Sequence, residues 1–463
     1  MTVENPPRPS PGPIPFSAAV RVWARIAALS FGGPAGQIAV MHRILVEEKR
    51  WLGERRFLHA LNYCMLLPGP EAQQLAIYIG WLMHRTVGGL VAGLLFVLPG
   101  FLAIMGLSIL YFVLGDTGPV AAVFFGLKSA VLVIVVQAML RIGGRALRNS
   151  ALIAVAAAAF LGIGVFGAPF PLIILAAGLI GFLGARAGLP SFSTGRAQES
   201  VLTDDPPEAA TVLGDSNPAH TQPDLSWALR TGAVILTLWL APVVTLGLTL
   251  GWDNVFTQIA VFFSKMAVVT FGGAYAVLAY VAQEAVQTYG WLRPGEMLDG
   301  LALAETTPGP LIMVTQFVGF LGAARNATGL DPLWAGVLGG VLTTWVTFAP
   351  CFLWIFLGAP FVEALRGARA LNAALGAITA AVVGVILNLA LWFSLHVLFA
   401  EVREVGVPWL ALQVPALESL NLASLLLTLA AAVAAFGFKL GAVPLLIGCS
   451  LAGLALHAAG QLA

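Results

Sequence analysis

Leu66-Leu67-Pro68-Gly69-Pro70 recurs as Thr306-Thr307-Pro308-Gly309-Pro310, an offset of 240 residues. The same offset carries Ser30-Phe31-Gly32-Gly33 onto Thr270-Phe271-Gly272-Gly273, and Trp51-Leu52 onto Trp291-Leu292. A single register held from Ser30 to Pro70 is not the chance likeness of two apolar helices. One residue is then lost, and Tyr78-Ile79-Gly80-Trp81 answers Phe317-Val318-Gly319-Phe320. At looser offsets Leu98-Pro99 answers Ala349-Pro350, and Gly126 answers Gly376. The chain is read as two homologous halves in tandem.

Composition places those halves in a bilayer. Of 463 residues 59% are hydrophobic and 10% charged, where a soluble domain carries roughly 25% charged residues. Apolar runs such as Val87 to Leu114, Val120 to Leu140, Ala151 to Leu183 and Leu420 to Phe438 each exceed or approach the roughly 20 residues that cross a hydrocarbon core. A net charge of +1 supplies no field for nucleic acid. The three cysteines, Cys64, Cys351 and Cys449, match no metal or dithiol spacing and read as core residues. The tail through Pro15 lacks an apolar segment behind a basic one, so no cleaved signal peptide is expected.

The expected fold is an all-α polytopic membrane protein of two inverted-topology halves, with helices broken or re-entrant at the FGG and PGP motifs. The expected divisions are a polar tail (1–15), an N-terminal transporter half (16–189), a disordered polar linker (190–226), a connecting transmembrane helix (227–252) and a C-terminal half (253–463). One extra crossing starts the second half from the opposite side. The charges agree with that: the loop from His42 to Arg56 carries Arg43, Lys49, Arg50, Arg55 and Arg56, and its counterpart carries only Arg293. On the same rule the N-terminus and linker face the cytoplasm; the expected location is a bacterial inner membrane. The pieces Glu54 to Leu67 and Glu71 to His84 have 14 residues each, roughly 20 Å of helix, too short to cross. Each half is therefore expected to hold two broken elements followed by four crossings.

Broken backbone in a membrane is tolerated where it is buried in protein or lines a wet cavity. A half-helix beginning at Pro70 or Pro310 aims free N–H groups and a positive dipole end at such a cavity, which suits an anion. The candidate anion-binding set is Gly32, Gly33, Gly272, Gly273, Pro68, Gly69, Pro70, Gln74, Thr306, Thr307, Pro308, Gly309 and Pro310. Arg25 and Lys265 are repeat equivalents and add candidate cations. Glu71 and Glu305 beside the two motifs are candidate proton carriers. The bland readings stand beside these: motifs that only permit close packing, an Arg25 that snorkels to the interface, a Glu71 that caps its helix. Lys128 is left open between snorkelling and function. No Walker A loop, HExxH, GxSxG or Cys/His cluster appears, so no ATP drive, metal or other cofactor is expected.

The chain resembles the chromate ion transporters in their long, two-domain form. The likeness is carried by Ser30-Phe-Gly-Gly-Pro34 with Gln37-Ile-Ala39, by Leu67-Pro-Gly-Pro-Glu-Ala72 and Tyr78-Ile-Gly-Trp81, and by Gly88-Gly89 through Leu95-Phe-Val-Leu-Pro-Gly100. In the second half it is carried by Thr270-Phe-Gly-Gly-Ala-Tyr275, Gly290-Trp291 and Asp299-Gly-Leu-Ala-Leu-Ala-Glu-Thr-Thr-Pro-Gly-Pro310. The resemblance implies chromate efflux driven by the proton-motive force and resistance to chromate, and no enzyme activity. The partners it implies are chromate with sulfate as a competitor, the lipid bilayer and protons, and no nucleic acid; a homodimer is left open. A sulfate transporter and a passive anion channel are the alternatives.

Overall fold

The fold is that of a computed structural model, which describes residues 14–115, 117–192, 211–213, 224–271, 274–359, 369–407 and 410–461. In the first half run α1 (Phe16–Leu29), α2 (Gly33–His42), α3 (Glu54–Cys64), α4 (Glu71–Leu114), α5 (Gly118–Ala146), α6 (Ser150–Gly164) and α7 (Phe170–Arg186). Helix α8 (Leu225–Leu250) follows. The second half repeats the order as α9 (Val255–Val269), α10 (Ala274–Gln283), α11 (Glu296–Thr306), α12 (Val314–Asn326), α13 (Pro332–Gly358), α14 (Arg369–Leu398), α15 (Leu422–Ala432) and α16 (Ala442–Ala458). The repeat extends to irregularities: a π-helical turn follows both α2 (Arg43–Glu48) and α10 (Glu284–Thr288). Among the described residues, one hairpin departs from the all-α expectation. Strand β1 (Val402–Val407) pairs antiparallel with β2 (Leu410–Pro415) between α14 and α15, where the β-branched Val402, Val405, Val407 and Val414 suit extended backbone.

The helix breaks have local causes. Helix α1 buries Ala19, Val22, Trp23, Ile26 and Ala27, one stripe at helical spacing. It stops at Ser30, whose hydroxyl turns back onto the Ile26 carbonyl at 2.7 Å. Gly32 and Gly33 then take φ of +81° and +70°, a left-handed pair that costs other residues roughly 1–2 kcal/mol each. Pro34 starts α2 with its preset φ. Thr270 repeats the device in the second half, bonding the Met266 carbonyl at 2.7 Å.

Helix α4 is a hairpin rather than one rod. His84 and Arg85 leave helical geometry, Arg85 at φ +54°, and the chain doubles back. Residues 71–83 lie against residues 86–114 so closely that a Cβ on Gly80 would sit 2.5 Å from the Gly88 carbonyl oxygen. Helices α12 and α13 make the same hairpin, with Gly339 against the Gly319 carbonyl. Small residues are what let helices in lipid approach this closely.

The halves are intertwined. Helices α6 and α7 of the first half pack on α14 of the second, while α15 and α16 of the second pack on α5 of the first. Gly126 of α5 touches the Cys449 carbonyl of α16, and Gly181 of α7 touches the Ala373 carbonyl of α14. One core cluster runs through both halves, and a second joins α1–α4 to Cys351, Phe352, Ile355 and Phe356 of α13. Among the described residues, five helices are long and apolar enough to cross a membrane: Glu71–Leu114, which does so after its hairpin turn, Gly118–Ala146, Leu225–Leu250, Pro332–Gly358 and Ala370–Leu398. Leu172, Leu175 and Leu179 of α7 and Leu248 of α8 stand exposed, as lipid-facing side chains do and a water-facing surface of this extent rarely does. The protein is a multi-pass, helical membrane protein.

Where the sequence suggests a disordered linker, two described pieces are seated. Phe192 is buried against Gly184. The Val212 and Leu213 amides donate to the Arg50 and Trp51 carbonyls at 3.2 and 3.1 Å.

Candidate functional site at the paired helix breaks

The four breaks meet crosswise. The Gly309 N–H of the second PGP donates to the Ser30 carbonyl at the end of α1, 2.8 Å away. Symmetrically, the Gly69 N–H of the first PGP donates to the Thr270 carbonyl at the end of α9, also 2.8 Å away. Each half's FGG break therefore supports the other half's PGP break. Gly69 and Gly309 hold φ of +119° and +103°, which only glycine adopts at little cost.

A second exchanged pair backs these turns. A Cβ on Gly69 would lie 3.0 Å from Cys351 Sγ, and one on Gly309 would lie 3.0 Å from Gly100 Cα. Gly100 and Cys351 each follow a proline inside a long helix, Pro99 in α4 and Pro350 in α13. Sequence reasoning missed both as site residues. The signal was the correspondence of Leu98-Pro99 with Ala349-Pro350.

Between the breaks lies a small enclosed cavity of about 20 Å³. From the first half it is lined by Pro34, Gln37, Gly69, Pro70, Glu71 and Ala72. Thr270, Ala274, Pro310, Leu311 and Ile312 line it from the second. Helix α4 starts here, and so does the helical turn Leu311–Met313 that leads into α12. Both helix starts border the cavity, and free N–H groups at a helix start are what receives anions. The space suits about one water, so a tetrahedral oxyanion requires the walls to move.

The predicted residues divide clearly. Gly69, Pro70, Glu71 and Pro310 line the cavity, while Pro68, Pro308 and Gly309 shape its turns. The Gln74 side chain holds the first turn by donating to the Pro68 carbonyl at 2.7 Å. Gly32 and Gly33 form the α1–α2 break, and Gly272 and Gly273 lie outside the described residues. The hydroxyls of Thr306 and Thr307 bond back to Leu303 and Ala304 of their own helix. Glu305 is buried and accepts from the Tyr275 hydroxyl at 2.5 Å. Neither predicted cation is brought to the cavity. Arg25 pairs with Glu48 at 2.7 Å with half its side chain exposed, and Lys265 is exposed on α9. Gln37, quoted above only within a family motif and not as a site residue, is buried and donates to the Gly309 carbonyl at 2.5 Å, bridging α2 to the opposite half. Its other mark was a lone amide in the apolar helix after the break.

A polytopic helical protein with two crossed helix breaks around a buried cavity belongs to the class of membrane transporters. The chromate transporter family pattern matches residues 17–182 and 257–454, and the chain belongs to that family. The chromate transport protein of Pseudomonas aeruginosa is 32% identical over 381 residues, 81% of this chain and 80% of that protein. The chromate transport protein of Cupriavidus metallidurans is 27% identical over 386 residues, 79% of this chain and 80% of that one. An uncharacterised transporter of Bacillus subtilis is 30% identical over 125 residues, 25% of this chain but 64% of its own length. No solved structure matches the chain.

Proposed function

We propose that the protein exports chromate across a bacterial inner membrane, coupled to the proton-motive force, and so confers chromate resistance. The observation that carries this reading is the crossed pair of helix breaks around one cavity, with Gly69 bonded to Thr270 and Gly309 to Ser30. Chromate is a tetrahedral dianion, and two opposed helix ends offer it N–H groups from both sides at once. Gln37, Gln74 and the turns at Pro68–Pro70 and Pro308–Pro310 fix those ends. Glu71, in the cavity wall, and Glu305 carry the proton: an ionised carboxylate repels a bound dianion, so protonation and anion binding are linked. Arg25 and Lys265 contribute charge from outside the cavity.

The halves are inverted about the membrane plane in this reading, with the N-terminus and linker cytoplasmic. Support comes from contacts at the two ends of α4. His84, at its turn, meets Ile14 and Phe16 of the first half. Tyr111, near its far end, meets Asp299 at the start of α11 in the second. The α1–α2 break is re-entrant on the same grounds, since Arg25 and Glu48 bring the outer parts of both arms together. The PGP segments follow, each returning to the side it left. A cavity closed to all but about one water is the occluded stage of alternating access.

The test is chromate flux into inverted proteoliposomes under an imposed pH gradient, with sulfate as competitor. Chromate accumulates against its gradient and a protonophore abolishes the accumulation. Gln37→Met weakens chromate binding about tenfold, roughly 1.4 kcal/mol, and Glu71→Gln keeps binding while losing the response to the pH gradient. Flux that only ever runs downhill overturns coupled export in favour of a pore. Binding unchanged in Gln37→Met places the anion elsewhere.

A further inference from the structure

Helix α11 carries two acidic side chains that the anion site does not use, Glu296 and Asp299, both buried and nearly one turn apart. Their surroundings differ sharply. Glu296 is gripped by Arg325 of α12 through two hydrogen bonds of 2.7 Å and also accepts from the Arg293 amide at 2.8 Å. Such a bidentate pair fixes both charge and geometry. Asp299, with 4% of its side chain exposed, is held loosely. Its Oδ2 accepts from the Tyr111 hydroxyl at 2.9 Å and lies 3.5 Å from Lys128 Nζ, beyond the usual length of a charged hydrogen bond. Its Oδ1 is buried with no hydrogen-bond partner among the described residues.

We propose that Asp299 is a proton-binding site shared between the two halves, distinct from the cavity at the helix breaks. Lys128 and Tyr111 belong to α5 and α4 of the first half and Asp299 to the second, so this contact joins the halves. A buried ion pair gains Coulomb energy and loses solvation of similar size. Where one carboxylate oxygen goes unpaired, the charged form lacks the hydrogen bonds that would decide the balance. Protonation of Oδ1 removes the charge, releases Lys128, 29% of whose side chain is already exposed, and weakens the tie between halves. The neighbouring charges do not replace it. Glu296 is already neutralised by Arg325, and α16, which also packs on α11, brings only Cys449 and His457, the latter set against Gly118. The site is single: the repeat places His59 opposite Asp299 and Ile378 opposite Lys128, so the first half has no such pair.

The inference rests on the proton-coupled reading, and its experiment separates the two. Purified full-length protein in liposomes is assayed for chromate uptake driven by a pH gradient and for chromate–chromate counterflow without one. Asp299→Asn loses at least tenfold of the driven uptake and keeps counterflow. Tyr111→Phe and Lys128→Met leave the carboxyl in place but remove what stabilises its charge, so the midpoint of the pH profile moves upward, further for Lys128→Met. These two variants decide the matter if Asp299→Asn fails to fold. Unmoved midpoints, or driven uptake intact in Asp299→Asn, overturn the site while leaving coupling itself in place. A parent protein indifferent to the pH gradient overturns coupling, and the site with it.

Discussion

A methyl group has no room at position 309. The ideal Cβ meets the Gly100 backbone, 3.0 Å from Cα and 3.3 Å from N, at a φ that already disfavours any side chain. At position 69 the contacts are the Cys351 sulfur and the Gln74 amide, both 3.0 Å away and both side-chain ends able to shift. At Gly32 nothing lies within 4 Å, and only the left-handed backbone objects. Alanine therefore costs most at 309, less at 69 and least at 32, where roughly 1–2 kcal/mol is expected. Thermal unfolding in detergent reads the order, and chromate binding follows it. Cost at Gly32 equal to that at Gly309 would mean the close approach of the two helices does not matter. These glycines were visible in the sequence because a helix break in an apolar run is conspicuous. Arg25 was misleading for the opposite reason: its partner Glu48 lies 23 positions away, past a break whose course no periodicity reveals. Gln37 escaped notice as a site residue because one amide in an apolar helix looks the same whether it bonds its own turn or another half.

The α4 hairpin was more legible at the scale of an element. The sequence divides it into a short piece, Glu71 to His84, and an apolar run, Val87 to Leu114, and Gly80 and Gly88 touch across a turn at His84-Arg85. Helical propensity persists on both sides of that turn, and the positive φ of Arg85 leaves no glycine or proline to announce it. The short piece ending at His84 was legible from its length, 14 residues, too few to cross a bilayer core. Valine at Gly88 would drive its Cβ to 2.2 Å from the Gly80 carbonyl oxygen, against backbone that cannot yield. Gly88→Val is expected to abolish folded, monodisperse protein on size-exclusion chromatography. Gly106→Val, on the same helix with open space around it, is expected to leave the profile unchanged. Equal behaviour of the two would show that the arms of α4 separate in the membrane.

At the scale of the whole molecule, the repeat told which residues are equivalent but not which are adjacent. Equivalence is written in the motifs, while adjacency comes from exchange: α6 and α7 rest on α14, and α15 and α16 rest on α5. Cutting the chain within residues 193–210 should therefore leave two fragments that hold together through these contacts. Co-expressed, they are expected to co-purify and to restore chromate flux, whereas either alone yields neither. Fragments that fold and purify separately would refute the exchanged packing. The exchange also sets a timetable for biosynthesis. When α7 leaves the ribosome its resting place on α14 has not been made, and at roughly 5–20 residues per second the wait is on the order of ten seconds or more. Throughout that interval the newborn first half carries a face meant for a partner still being translated. The insertion machinery of the cell must shelter that face until the second half arrives.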